Sequence, residues 1–153
     1  MSIVLNGSTG ITFPDSTGPF DGADLQSVFQ KFFGYGAATG GEGGTVYFGE
    51  HDATVGSTET TAASLIGRAC NATALYASVV TAPTGSETDA FTLMKNGSAT
   101  TITCTITGSA TTANDTAHTV SYAAGDTISL RVVYSSGSPS TWSNNGVVMF
   151  EVT

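Results

Sequence analysis

Three groups of residues carry side chains that chemistry normally requires. Glu50-His51-Asp52 places three potential metal ligands or proton carriers in consecutive positions. Neighbours on a strand point to opposite faces, so the three converge only if a turn intervenes. The expectation is a solvated strand end beside a turn at 52–54. Asp115 and His118 stand in Asn114-Asp115-Thr116-Ala117-His118, a polar loop of the kind that caps itself with side-chain hydrogen bonds. The remaining acids are dispersed, whereas a Ca²⁺ site needs several converging oxygens. Cys70 and Cys104 form no CxxC and have no nearby histidine. A pair of free core thiols and a Cys70–Cys104 disulfide both stay open. No GxSxG elbow, HExxH pair, P-loop or GxGxxG ahead of a helix is present. The chain reads as a non-enzyme without cofactor or metal.

A fourth group could bind. Trp142, the single tryptophan, lies close to Asn144 and Asn145. An aromatic ring with amides beside it can hold a sugar by stacking and hydrogen bonds. The other reading has the ring covering the open end of a β-sandwich or packing at a subunit boundary. Tyr122 and Tyr134, at strand ends, fit either arrangement. Four N-x-S/T sequons, at Asn6, Asn71, Asn96 and Asn114, are silent without a secretory signal.

The elements that position these residues follow from composition. The chain has 153 residues, 40% hydrophobic and only 10% charged, with 19 glycines, against about 25% charged in ordinary domains. Thr, Ser, Gly and Ala replace Glu, Lys and Arg, which are good helix formers, so a β-rich fold is expected. Four Lys+Arg against 12 Asp+Glu give a net charge of −8. No basic patch can release counterions from phosphates, which excludes nucleic acid as partner. Anionic membrane surfaces are disfavoured for the same reason. No apolar stretch reaches the ~18 residues of a membrane span, and Met1-Ser2-Ile3 opens without a signal peptide, so the expectation is a soluble chain made in the cytoplasm.

Along the chain, Ile3, Leu5, Ile11 and Phe13 alternate with small polar residues between Asn6-Gly7 and Thr9-Gly10 turns. The one convincing helix signal follows, with Asp21 as N-cap and Leu25, Val28, Phe29 and Phe32 at i, i+3, i+4 and i+7. Phe33 and Tyr35 widen that stripe, which packs either on its own domain or against another chain. Residues 34–44 contain six glycines and read as a flexible connector. Beyond it come strands at 45–49, 73–81, 90–95, 99–107, 116–122, 127–134 and 147–152, with a polar loop at 135–145. Asn96-Gly97 is a strong hairpin signal, because both residues tolerate positive φ. Leu75, Ala77 and Val79 share a face, as do Ile102, Cys104 and Ile106, and Ile128, Leu130 and Val132. Short antiparallel strands with turns every 8–12 residues mean a sandwich or jelly roll.

The run from Leu75 through Thr81, Phe91-Thr92-Leu93-Met94-Lys95-Asn96-Gly97, Ile102-Thr103-Cys104-Thr105-Ile106 and Ala123-Ala124-Gly125-Asp126-Thr127-Ile128-Ser129-Leu130 resembles the jelly-roll modules of bacteriophage virion proteins. These are tumour-necrosis-factor-like and typically trimeric. Leu5-Asn6-Gly7-Ser8-Thr9-Gly10-Ile11-Thr12-Phe13-Pro14-Asp15 is similar to segments of phage tail-fibre and head-decoration proteins. Together the resemblances cover most of the chain.

The implied organisation is an antiparallel β jelly roll over residues 45–153, a Gly-rich connector at 34–44, and an N-terminal extended arm with one short helix at 1–33. The implied function is structural: a homotrimeric capsid decoration (cement) protein on the outside of a phage head. Its arm would dock on the major capsid protein, or another virion protein, through Ile3, Leu5, Ile11, Phe13, Leu25, Val28, Phe29, Phe32 and Phe33. Val147, Met149 and Phe150, apolar in a strand expected to be buried on both faces, would form the trimer contact. The alternative is a receptor- or glycan-binding tip of a tail fibre, using Trp142, Asn144 and Asn145 on a host glycan. The chain's shortness favours decoration, since a fibre usually adds a shaft. A secreted carbohydrate-binding module is disfavoured by the missing signal peptide.

Overall fold

Alternation of Thr with Ile and Val over most of the second half leaves the backbone one economical arrangement, extended and paired. The protein, seen in a computed structural model, is accordingly mainly β with antiparallel sheets. Residues 44–49 and 58–135 are described in full; elsewhere the description covers the backbones of the strands at 4–6, 10–12, 19–20, 29–33, 37–38 and 142–152.

In chain order the elements are β1 (Val4–Asn6), β2 (Gly10–Thr12), β3 (Pro19–Phe20), β4 (Phe29–Phe33), β5 (Ala37–Ala38), β6 (Thr45–Phe48), α1 (Glu59–Ala62), β7 (Ser64–Leu65), β8 (Cys70–Val79), β9 (Thr88–Lys95), β10 (Ser98–Thr107), β11 (Thr112–Asp115), β12 (Val120–Tyr122), β13 (Thr127–Tyr134) and β14 (Trp142–Val152). The first sheet is small, β1-β2-β3. The second runs β10-β9-β13-β6, with β7 added on β13. The third runs β11-β8-β14-β4, with β12 on β8 and β5 on β14.

Period-2 patterning decides which faces meet. Phe91 and Leu93 of β9, Ile102, Cys104 and Ile106 of β10, and Ile128, Leu130, Val132 and Tyr134 of β13 are buried together with Leu75, Ala77 and Val79 of β8 in one core. The second and third sheets therefore pack face to face. Burying each large aliphatic or aromatic side chain here contributes roughly 1.5–3 kcal/mol. Both cysteines are buried and neither is in a disulfide, so the disulfide alternative is set aside. The hairpin falls on Asn96-Gly97 with φ of 49° and 78°, the left-handed pair a two-residue turn needs. At Gly49 a Cβ would stand 2.6 Å from the carbonyl oxygen of Ala62, so glycine lets the end of α1 close against the residue that follows β6.

Four expectations are corrected. The helix expected across 21–33 is not formed at its C-terminal end: Phe29–Phe33 is strand β4, paired with β14 from Phe150↔Phe29 to Gly146↔Phe33. Five residues are too few to separate helical from alternating spacing, and aromatic residues favour a strand once a partner edge is present. Residues 21–28 lie outside the described residues. The helix that does form is α1, one turn long. The connector at 34–44 includes β5, paired with Trp142 and Ser143. The loop expected at 135–145 gives way to strand from Trp142 onward, because pairing with β8 and β5 supplies the bonds its polar sequence did not advertise. The strand expected at 116–122 is only β12, and β11 forms ahead of it from residues too polar to show an apolar face. Among the described residues no helix is long and apolar enough to cross a membrane.

Candidate functional site

Residues expected to carry function fall into three places. Leu5 and Ile11 are register partners in the β1–β2 pair; Ile3, Phe13, Leu25 and Val28 lie outside the described residues. Phe29, Phe32 and Phe33 are in β4, and Val147, Met149 and Phe150 are in β14, directly paired with it. Trp142, Asn144 and Asn145 are at the start of β14, opposite Ala38, Val79 and Ser78. Glu50-His51-Asp52 also lies outside the described residues.

Asp115 does cap its own loop, as expected, and it does more. Its Oδ1 accepts the N–H of Ala117 at 3.0 Å, and its carboxylate accepts from His118 Nδ1 at 2.8 Å. Its Oδ2 also accepts the N–H of Thr103 at 3.0 Å. Thr103 is on β10, an edge strand of the other sheet. The carboxylate thus closes one side of the two layers and blunts an edge that would otherwise offer free N–H groups. Burial pushes Asp115 up, but the two N–H donors and His118 outweigh it and hold the carboxyl below its ordinary range.

A second polar cluster ties the hairpin to the β12–β13 turn. Asn96 Nδ2 donates to Asp126 Oδ1 at 2.7 Å, while Asn96 Oδ1 accepts the N–H of Thr127 at 2.7 Å. Lys95 Nζ stands 3.0 Å from Asp126 Oδ2 and donates to the Ser121 carbonyl. Asn96, the Ala123 N–H and Lys95 hold Asp126 down at about 2. Beside this cluster Glu59, Thr60, Ala63, Asn96, Gly97 and Thr127 line an open groove of about 470 Å³. Its polar groups are largely engaged with one another, Glu59 Oε1 accepting from Ser129 Oγ at 3.1 Å.

The thiols are not poised for chemistry. Burial first, and the Asp115 charge second, push Cys104 up to about 12, which leaves almost no thiolate near neutral pH. Among the described residues no three His, Cys, Asp or Glu gather as metal ligands would.

What sequence reading missed is on the outward faces and at one buried acid. Tyr76, mid-strand in β8, is 46% exposed. It is out of phase with Leu75, Ala77 and Val79, so alternation alone could have flagged it. In register across the sheet stand Asn114 on one side, Val147 on the other and Phe32 beyond. On the outer face of the second sheet, Arg131 is flanked by Tyr47 and Thr92, with Thr103 beyond. Asp89 is 0% exposed, in phase with Phe91 and Leu93, and neither carboxylate oxygen has a hydrogen-bond partner. Burial, with the Glu87 charge second, raises it to about 6.

Comparison with known proteins gives neither a matching family model nor a matching curated relative.

Proposed function

We propose that this chain is a non-enzymatic phage virion protein. In this reading it is a jelly roll that trimerises through the outer face of the β11-β8-β14-β4 sheet and docks on the capsid as a decoration protein. The observation that carries the trimer is Tyr76. A tyrosine nearly half exposed in the middle of an inner strand marks a face that the subunit leaves uncovered. Positions directly opposite in antiparallel strands share a face, so Val147 and Phe32 belong to Tyr76's row. Ala74 and Met149 make the next row, where Ala74 is buried within the subunit. A large aromatic left open in the middle of a sheet is a mark of an interaction face. Phe150 is in register with fully buried Ala72, beyond a register shift from Met149, so the trimer contact is narrowed to Val147 and Met149.

Two further features support the reading. The chain passes from sheet to sheet as a jelly roll does, β4 and β8 in one layer, β6, β9 and β10 in the other, then β11, β13 and β14 alternating. β1, β2 and β3 form a sheet of their own, which suits a separate docking element, whereas β4 pairs within the larger sheet. The arm is accordingly narrowed to roughly the first twenty residues. Arms that add strands to a neighbour's sheet gain affinity from main-chain hydrogen bonds, and three arms per trimer multiply it through effective concentration.

Removing residues 1–20 from the full chain tests docking. The truncated protein should keep its trimer mass and its melting temperature while failing to co-sediment with capsids that bind the intact chain. Undiminished capsid binding by the truncated chain overturns the arm. A tail-fibre tip would instead appear in purified virions at a few copies, against the hundreds expected of a decoration protein.

A further inference from the structure

The other outward face carries a second, independent feature. Only four lysines and arginines stand among 12 acids in this chain, yet Arg131 makes no ion pair with a described carboxylate. Its single polar contact among the described residues is from Nη2 to Thr92 Oγ1 at 3.4 Å, close to the limit of a hydrogen bond, and its Nε is buried without an acceptor. A guanidinium offers five N–H donors, and leaving a buried one unmade is costly. The resting side chain therefore has a donor to satisfy.

Its neighbours are specific. The register Tyr47–Arg131–Thr92–Thr103 forms one row across four strands, about 14 Å at the usual spacing of ~4.8 Å. The Thr92 and Thr103 hydroxyls are 3.3 Å apart, and Thr103 Oγ1 donates to the Phe91 carbonyl. Tyr47 is half-buried at the edge-strand end of the row. The row thus places an aromatic ring, a cation and two hydroxyls in line, with Thr92 buried, Thr103 exposed and no acid among the four. A lone protein carboxylate would use only the cation. A sugar that bears a carboxylate uses more: carboxylate on guanidinium, ring against Tyr47, and a sugar hydroxyl donating to the Thr103 oxygen at the exposed end of the row.

We propose that this row binds a carboxylated oligosaccharide. Arg131 lifts from the sheet and takes the carboxylate side-on through Nε–H and Nη2–H, the two-bond geometry that makes arginine–carboxylate pairs strong. The site does not depend on the trimer face, which is on the opposite sheet.

The test is a ¹⁵N-NMR titration of the full chain with trigalacturonate, with neutral galactotriose, acetate and a short poly-glutamate peptide as the comparison ligands. Saturable shifts centred on residues 47, 92, 103 and 131 are expected with trigalacturonate and not with galactotriose. Arg131→Gln should weaken binding about tenfold or more, a 1.4 kcal/mol loss. Tyr47→Ala should weaken it several-fold, and both variants should keep the wild-type spectrum elsewhere. Absent or displaced shifts, binding that survives Arg131→Gln, or equal affinity for galactotriose or acetate would each overturn the site. Equal affinity for the poly-glutamate peptide would overturn the sugar in favour of an acidic protein partner.

Discussion

Asp89 makes the stability of this protein depend on pH in an unusual direction. Its carboxyl is closed to solvent, its two oxygens are unpartnered, and it is raised from 3.8 to about 6. A group whose folded value is raised binds its proton more tightly in the folded state. The stability it contributes is fully present below about 4 and is lost as pH rises through about 6. At about 1.36 kcal/mol for each tenfold change in proton affinity, the rise is worth about 3 kcal/mol between pH 4 and pH 7.5. For a domain of this size that is roughly 6–12 °C of melting temperature. Asp115 works the opposite way: its carboxyl is lowered, so its contribution is lost as pH falls through its folded value, below the ordinary carboxylate range. Stability should therefore peak near pH 4–5. Asp89→Asn removes the titration but leaves buried amide groups unmade, at about 1–3 kcal/mol, so its melting temperature at one pH decides nothing. The slope decides. Melting curves from pH 4 to 7.5, at one protein concentration, should fall for the wild type and stay nearly flat for Asp89→Asn. Parallel curves would refute the reasoning.

The remaining predictions concern stability and reactivity. Asp115→Ala leaves the N–H of Thr103 without its acceptor and should cost about 1–3 kcal/mol in chemical denaturation. Gly49→Ala, which drives a Cβ to 2.6 Å from the Ala62 oxygen, should cost about 1–3 kcal/mol by the same measurement. Leu93→Ala, at a fully buried core position, should cost about 2–5 kcal/mol. Cys70 and Cys104 should be silent to a thiol reagent in the folded protein and both react after denaturation, as two buried thiols outside any disulfide require.

Legibility followed the range of the interaction that fixes each element. Asn96-Gly97 was readable because the turn requirement is local, and Ile102, Cys104 and Ile106 because alternation on a half-exposed strand is written in consecutive residues. Ile128, Leu130 and Val132 were readable in the same way. β4 was not: Phe29, Phe32 and Phe33 satisfy a helical spacing as well as a strand, and only pairing with β14 decides. Trp142 to Asn145 and Thr112 to Asp115 lack an apolar face, so their strand character comes from β8 between them. The candidate surfaces lie at both extremes. Tyr76 and Asp89 stand out against the phase of their own strands, a local signal. The Arg131 row joins β6, β9, β10 and β13, and no local pattern predicts that register.

The central claim is that the face bearing Tyr76 is closed by two further copies of the chain. Tyr76→Glu places a charge on that face at a position already exposed in the subunit, so it spares the fold while opposing burial. Sedimentation equilibrium at micromolar concentration measures the outcome directly. The wild type should have about three times the subunit mass of 15.4 kDa, and Tyr76→Glu should have the subunit mass with an unchanged far-ultraviolet circular dichroism spectrum. A wild-type monomer, or a Tyr76→Glu protein that keeps the threefold mass, would contradict the account.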